Sequence, residues 1–333
     1  MRPRYLVLLL LILTLLAAVG CTANNAAAGE ETTESQEVTV TQATRTPTVP
    51  VMPSPTATPV PVFSGARAME DVENQMAFGP RPTGSEASVL TGDYILSELV
   101  AAGWETDTQP FEYQGVQARN LIGRSPSGES SQVYILGAHY DTRRRADQDS
   151  NSPDAPVPGA NDGASGVAVL LELARVIDLS AVDGSVWLVF FDAEDNGHLD
   201  GWDWIIGSRR FAERLDFQPE YVIVVDMIGD ADQNIYLEAN SDPALQDHIW
   251  KIAAQLGYAN YFIPEVQHSM LDDHTPFLEK GITAVDIIDF DYPYWHTTAD
   301  TADKVSAESL ERVGRTLETL LESGGAYEPA VAE

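Results

Sequence analysis

Three acidic side chains arrive within four positions at the end of an apolar run. Asp192, Glu194 and Asp195 follow residues 186–191 in the stretch GSVWLVFFDAEDNG, residues 184–197. Such a run reads as a strand buried on both faces. Carboxylates packed against its end repel one another and lose hydration, so each needs a cation, or a reaction, to hold it there. The pattern recurs along the chain. His139 and Asp141 close VYILGAHYD, Asp226 closes YVIVVD, and Asp286, Asp289 and Asp291 crowd the end of ITAVDIIDFD. Asp162 stands in PGANDGASG, and His296 in PYWHTTADT directly after Trp295. Separate segments thus deliver His, Asp or Glu, with no matching surplus of Lys or Arg. Carboxylate and imidazole ligands without thiolate suit zinc in a catalytic rather than a structural site.

Taken singly, each residue has a plainer reading. A lone Asp at a strand end caps a helix or holds a turn, and a lone His beside Trp is a half-buried packing residue. His198, His248 and His268 read as surface histidines. The joint pattern is what points to a metal centre. Two rival chemistries fit less well. In the carboxylate-rich loop at 146–155, Asp147, Asp149 and Asn151 begin a calcium-loop rhythm, but Ser152 and Pro158 stand where that loop needs Gly and Glu. The segment GASG lacks the spacing of a serine nucleophile elbow.

To bring those residues together the chain must place its strand ends along one edge. The apolar segments around 118–125, 132–141, 186–191, 221–229, 234–240 and 282–290 read as strands. Segments around 66–79, 85–103, 165–177, 207–215, 242–257 and 306–323 read as helices, with Asp242 and Ser306 as N-caps. Buried strands alternating with helices predict an α/β fold: three layers, α/β/α, around a mostly parallel mixed sheet. In such a fold the ligand site lies beyond the C-terminal ends of the strands. The candidate residues stand at those ends.

The remainder of the chain bounds the setting. Its 333 residues carry a formal net charge of −32, which argues against a nucleic-acid partner, since that needs a basic face. Residues 1–20 read as a secretory signal, with Arg2 and Arg4 before an apolar run and small residues after it. That run is about fifteen residues long, short of the roughly 20 that a membrane span needs. Cys21 is the only cysteine, so neither an internal disulfide nor a thiolate cluster is possible. Its position after Ala-Val-Gly resembles the lipobox of bacterial lipoproteins, which implies lipidation at Cys21 and an exported protein tethered to the outer face of a bacterial envelope membrane. Residues 21–63, Pro/Thr-rich and without apolar periodicity, read as a disordered stalk, and residues 64–325 as the catalytic domain. A monomer is the default expectation.

GAHYDT, GANDGASGVAVLLELAR, FFDAEDNG, VVDMIGD and YWHTTADT, in this order, resemble the zinc aminopeptidase superfamily that includes the glutaminyl-peptide cyclotransferases. In the aminopeptidases two zinc ions share a bridging aspartate. The resemblance then implies His139, Asp162, Asp195, Asp226 and His296 as ligands, and Glu194 as general base. Four features resemble bacterial glutaminyl cyclases more closely: the extended loop after His139, the AED triplet, the LDDHTPFLEKGI segment, and Trp295 before His296. That branch implies one zinc on Asp162, Asp195 and His296, with His139 and Asp226 supporting the ligands or the substrate. It also implies Glu194, Asp226 and Asp272 as catalytic groups, and peptide N-termini as substrate. A small aromatic pocket follows, walled by Trp295 with Trp202 or Trp204. On either branch Asp195 is expected on the metal, Glu194 on the proton and Asp192 in support of the turn. A non-catalytic surface binding domain on the same fold is the remaining alternative, and such relatives usually lack ligands or the base.

Overall fold

The computed structural model describes residues 61–126 and 131–327. Residues 1–20 (read as a signal), Cys21 and nearly all of the segment read as a stalk lie outside the described residues. Among the described residues no helix is long and apolar enough to cross a membrane.

A six-stranded sheet carries the site. Its strands are β1 (Glu105–Tyr113), β2 (Val116–Arg124), β3 (Val133–His139), β4 (Ser185–Phe191), β5 (Tyr221–Asp226) and β8 (Ala284–Ile288), in the order β1-β2-β4-β3-β5-β8. The strands β4, β3, β5 and β8 run parallel, while β2 pairs antiparallel with both β1 and β4. The sheet is therefore mixed, with a parallel centre, as the alternation of elements predicts.

Both faces of that centre are apolar because successive side chains on a strand point to opposite sides. Along β4, Val186, Leu188 and Phe190 enter one core while Val189 and Phe191 enter the other. Helices α1 (Gly65–Ala77), α3 (Ala164–Val176), α5 (Pro243–Gln255) and α7 (Ala307–Glu322) cover the first face, with α2 (Glu86–Ala101) against α3. Helices α4 (Ile206–Arg214) and α6 (Thr275–Glu279) supply Phe211 and Phe277 to the second. In α3 every residue but Arg175 is buried, which explains an apolar pattern that runs nearly all round. Asp242 and Ser306 cap α5 and α7 as their sequences require: Asp242 accepts from the Ala244 and Leu245 amides, Ser306 from that of Ser309.

Three features depart from expectation. The edge strand β1 is mostly exposed and carries no apolar run to announce it. It turns into β2 through Gln114 and Gly115, both at positive φ (48° and 81°), the geometry of a two-residue hairpin turn. The outer strand β6 (Ile235–Glu238) does not join the main sheet; it pairs in parallel with β7 (Phe262–His268), itself largely exposed. At the N-terminal boundary, Phe63 is no part of a stalk. Its ring is buried against Gly314 of α7, where any Cβ would overlap it.

Candidate metal centre and active site

The strand ends converge as the α/β architecture requires. His139 is the last residue of β3 and Asp226 the last of β5, while Glu194 and Asp195 sit in the turn that follows β4. Asp162 precedes α3, and His296 lies in the loop between β8 and α7. Two groups of three could each hold a metal ion: His139, Asp162 and Asp226, and Asp162, Asp195 and His296. Asp162 belongs to both. In the first group, His139 Nε2 lies 3.0 Å from Asp226 Oδ1 and 3.2 Å from Asp162 Oδ1. In the second, His296 Nε2 lies 2.9 Å from Asp195 Oδ1 and 3.8 Å from Asp162 Oδ2.

The groups differ in how well they satisfy themselves. His139 Nε2 meets Asp226 at hydrogen-bonding distance, and its Nδ1 faces the Asp141 carbonyl. By contrast Asp162 Oδ2 and Asp195 Oδ2 are buried without a hydrogen-bond partner. Unpartnered buried carboxylate oxygens carry a large desolvation cost, which a cation offsets. The second group therefore fits a zinc ion on its donor set and on its orphaned atoms.

Backbone bonds hold these residues at the sheet edge. Buried Asp141 accepts from the Glu194 amide at 3.0 Å and from the Asp195 amide at 3.4 Å, so it fixes the turn rather than joining either metal group. Asp192 also supports that turn, accepting from the Ala193 and Arg119 amides and from the Tyr140 hydroxyl. Asp300, which the sequence does not single out, accepts from the Asn161 and Asp162 amides and the Tyr292 hydroxyl. Strain concentrates here. Ala193, Met227 and His296 adopt φ of 62°, 46° and 55°, a left-handed conformation costly for residues other than Gly. Each is a site residue or its immediate neighbour in sequence.

A cavity of about 210 Å³ opens on the metal groups, lined by Asp162, Glu194, Asp195, Asp226, Asp272 and His296. Its apolar wall is Trp204, Trp295, Phe290, Ile288, Met227, Met270 and Leu271. Trp295 and Trp204 thus line the cavity. Trp202 does not. It is buried behind them, edge-on to Tyr113 at 5.2 Å and under the Arg144 guanidinium at 4.4 Å. Gly197 allows Trp204 to pack flat on the turn, since a Cβ there would meet the indole at 1.9 Å.

Other expected candidates fall outside the site. Asp286 lies within β8 rather than at its end, and Asp289 accepts from the Asn234 and Asp291 amides. Asp291 faces Gln267 and His268 at the surface. The 146–155 loop spends the two carboxylates of its calcium-like rhythm on the protein: Asp147 on Arg143, and Asp149 on the Asn151, Ser152 and Thr298 amides and the Thr298 hydroxyl. No calcium-type group forms there among the described residues. Nor is the site without cations. Buried Arg81 donates to the Tyr140, Pro158 and Gly159 carbonyls, and buried Arg143 reaches within 3.8 Å of Asp195. Behind Asp272, fully buried His274 stands 3.3 Å from Glu238 and 3.8 Å from Asp286. Nothing in an isolated DDH triplet marks that histidine as buried.

The electrostatics follow from burial. Glu194 is pushed well above the usual carboxylate range, chiefly by desolvation, with Asp195, Asp272 and Asp273 adding and His139 opposing. Desolvation likewise raises Asp226, Asp195 and Asp272. Asp162 alone goes down: burial pushes it up, but the His139 hydrogen bond and the charges of His139, His296 and Arg143 outweigh that. A buried carboxyl held ready to carry a proton, beside a carboxylate kept ionised among possible metal ligands, can support acid–base chemistry at a metal.

Residues 120–321 match the sequence profile of Peptidase family M28. A solved glutaminyl cyclase of Bacteroides thetaiotaomicron, bound to N-acetylhistamine, is 32% identical with a TM-score of 0.74, the match covering 79% of this chain and 99% of that one. A Zn-dependent exopeptidase of Parabacteroides distasonis is 33% identical with a TM-score of 0.73, covering 79% and 99%. Aminopeptidase YwaD of Bacillus subtilis is 26% identical over 214 residues, 59% of this chain but only 42% of that protein's length. The profile and the solved structures agree: the chain belongs to peptidase family M28, whose members are zinc-dependent enzymes.

Proposed function

We propose that this protein is a zinc-dependent glutaminyl-peptide cyclotransferase, which converts the N-terminal glutamine of a peptide to pyroglutamate and releases ammonia. The observation that carries this reading is the position of Asp272. It is buried in the same small aromatic-walled cavity as Glu194 and Asp226. That gives the cavity a second acid–base group and a small volume suited to one short amide side chain. The similarity to the Bacteroides cyclase, over nearly that whole chain, supports the same reading.

Asp162, Asp195 and His296 would hold the zinc, which as a Lewis acid would polarise the γ-carbonyl of the substrate glutamine. Glu194 accepts a proton from the α-amine as that nitrogen bonds to the γ-carbon. It returns the proton to the amide nitrogen as the carbon–nitrogen bond breaks, so that ammonia leaves. Asp272 and Asp226 orient the amine and the amide, and Trp204 and Trp295 exclude water that would otherwise compete as nucleophile.

One observation favours a second reading, a two-zinc aminopeptidase: Asp162 is common to both candidate groups, the layout a bridged metal pair needs. Against it, His139 and Asp226, the two residues peculiar to the first group, are hydrogen-bonded to each other, whereas both residues with orphaned oxygens, Asp162 and Asp195, belong to the second. The two readings separate in one assay on Gln-initiated and Leu-initiated peptides with zinc counted per chain. The cyclase gives one tightly bound zinc, ammonia from the Gln peptide and negligible free leucine. Two zinc ions and rapid leucine release would assign the protein to the aminopeptidases.

A further inference from the structure

His296 is ringed on three sides, and only one side is the metal group. Its Nε2 faces Asp195 and Asp162, while its Nδ1 is buried and faces Asp147 Oδ1 at 3.4 Å, within ion-pair range. Nδ1 makes no hydrogen bond among the described residues, and Asp147 is the carboxylate that faces it. Asp147 is itself gripped from behind. Arg143 donates to both of its oxygens, Nε to Oδ1 at 2.7 Å and a terminal nitrogen to Oδ2 at 2.9 Å, a bidentate geometry that fixes the carboxylate plane. The same guanidinium donates to the Asp195 carbonyl at 2.9 Å and the Gly197 carbonyl at 3.2 Å. It also lies 4.7 Å over Trp204, whose ring is nearly parallel to that of His296 (13°, centroids 5.9 Å apart).

We propose that Asp147, held by Arg143, is the positioning carboxylate for His296, and that this pair sets how tightly the protein holds its metal. The inference rests on the metal group Asp162, Asp195 and His296 described above. An imidazole offers its Nε2 lone pair to a metal only when the proton sits on Nδ1, and a carboxylate facing Nδ1 fixes that tautomer and the ring plane. His296 has a particular need of such a partner, since it sits at positive φ and its backbone does not favour the conformation it holds. Trp295 also stacks on the ring, with centroids 3.7 Å apart, which restrains its tilt and leaves rotation within the ring plane to Asp147. Because Arg143 also holds the Asp195 carbonyl, one guanidinium links two members of the group. The bare Arg143–Asp147 ion pair could instead be a loop staple with no bearing on the metal.

The test compares zinc affinity, by competition with a chelator at fixed pH, with the melting temperature of the metal-free protein. It uses the full chain and the variants Asp147→Ala, Asp147→Asn and His296→Ala. Asp147→Ala is expected to weaken zinc binding by about 10- to 100-fold. Asp147→Asn keeps an acceptor oxygen and should lose less, with its metal-free melting temperature close to that of the parent. A staple would give the reverse: lower melting temperatures in both Asp147 variants and unchanged zinc affinity, which overturns the proposal. If His296→Ala also binds zinc as tightly as the parent, the metal group itself is misassigned and both readings fall.

Discussion

At the scale of the residue, Glu194 and Asp195 are adjacent in sequence yet stand in different electrostatic surroundings. Asp195 faces His296 at 2.9 Å and has one orphaned oxygen, whereas Glu194 lines the cavity among Asp226 and Asp272. Desolvation raises Glu194 well above its ordinary value, and a divalent cation nearby would draw it back towards its ordinary range. Glu194→Gln keeps the shape and removes the proton acceptor. Turnover should therefore fall by on the order of 10² to 10⁴ while the zinc content stays that of the parent. Steady-state kinetics beside metal analysis checks both halves. A variant that loses zinc as well would make Glu194 a ligand, and one that keeps full turnover would move the proton transfer elsewhere.

At the scale of the element, the turn after β4 and the helix α7 decide most. The turn presents Glu194 and Asp195 because Asp141 accepts their amides and Asp192 anchors the residue before them. Helix α7 closes the chain over α1, α3 and the ring of Phe63. The Phe63 amide also donates to Glu318 on that helix. Phe63→Ala should therefore cost about 3–5 kcal/mol, read as a lower urea midpoint with little change in the slope of the transition. A truncated chain that begins at Pro61 should fold and retain activity. One that begins at Ser64 gives up the buried ring and should show a similar loss. Equal stability of the two truncations would mean that Phe63 contributes nothing to the core.

At the scale of the whole molecule, the sheet edge gathers more buried carboxylates than buried cations. Burial pushes Asp300 and Asp289 up to about 7, and it raises Asp192, Asp195 and Asp226 in the same direction. In the unfolded chain the same groups titrate at about 3.9. Between about pH 4 and 7 the folded state thus binds more protons than the unfolded state, so stability falls as pH rises through that window. At His139 burial acts downwards, but Asp226, Asp141 and Asp162 outweigh it and raise the ring, which adds to the same trend at higher pH. His248, lowered by burial, opposes it. Metal-free protein should melt at a lower temperature at pH 8 than at pH 6. Zinc should raise both melting temperatures, and more at pH 8, where it has no proton to displace. Differential scanning calorimetry with and without chelator reads the effect. A melting temperature that climbs from pH 6 to pH 8 without metal would show that other groups govern how stability changes with pH.

Read by itself, the sequence determines the family and most of the frame. The two-faced apolar runs of β3, β4, β5 and β8 require a covered parallel sheet, and the residues ending three of them name the edge where chemistry can occur. Residue type also fixes the donor set: with Cys21 the only cysteine, carboxylate and imidazole are what remain. Tertiary structure decides what depends on direction and distance. Exposed edge strands such as β1 and β7 carry no buried period to announce them. Trp202 and Trp204 are two positions apart, yet only Trp204 turns into the cavity, because Gly197 leaves it room. Asp147 belongs by composition to a polar loop, and only the fold sets it behind His296. A side chain's chemistry is written in its own letter, but its partner is brought from elsewhere in the chain by packing, and no local pattern encodes that.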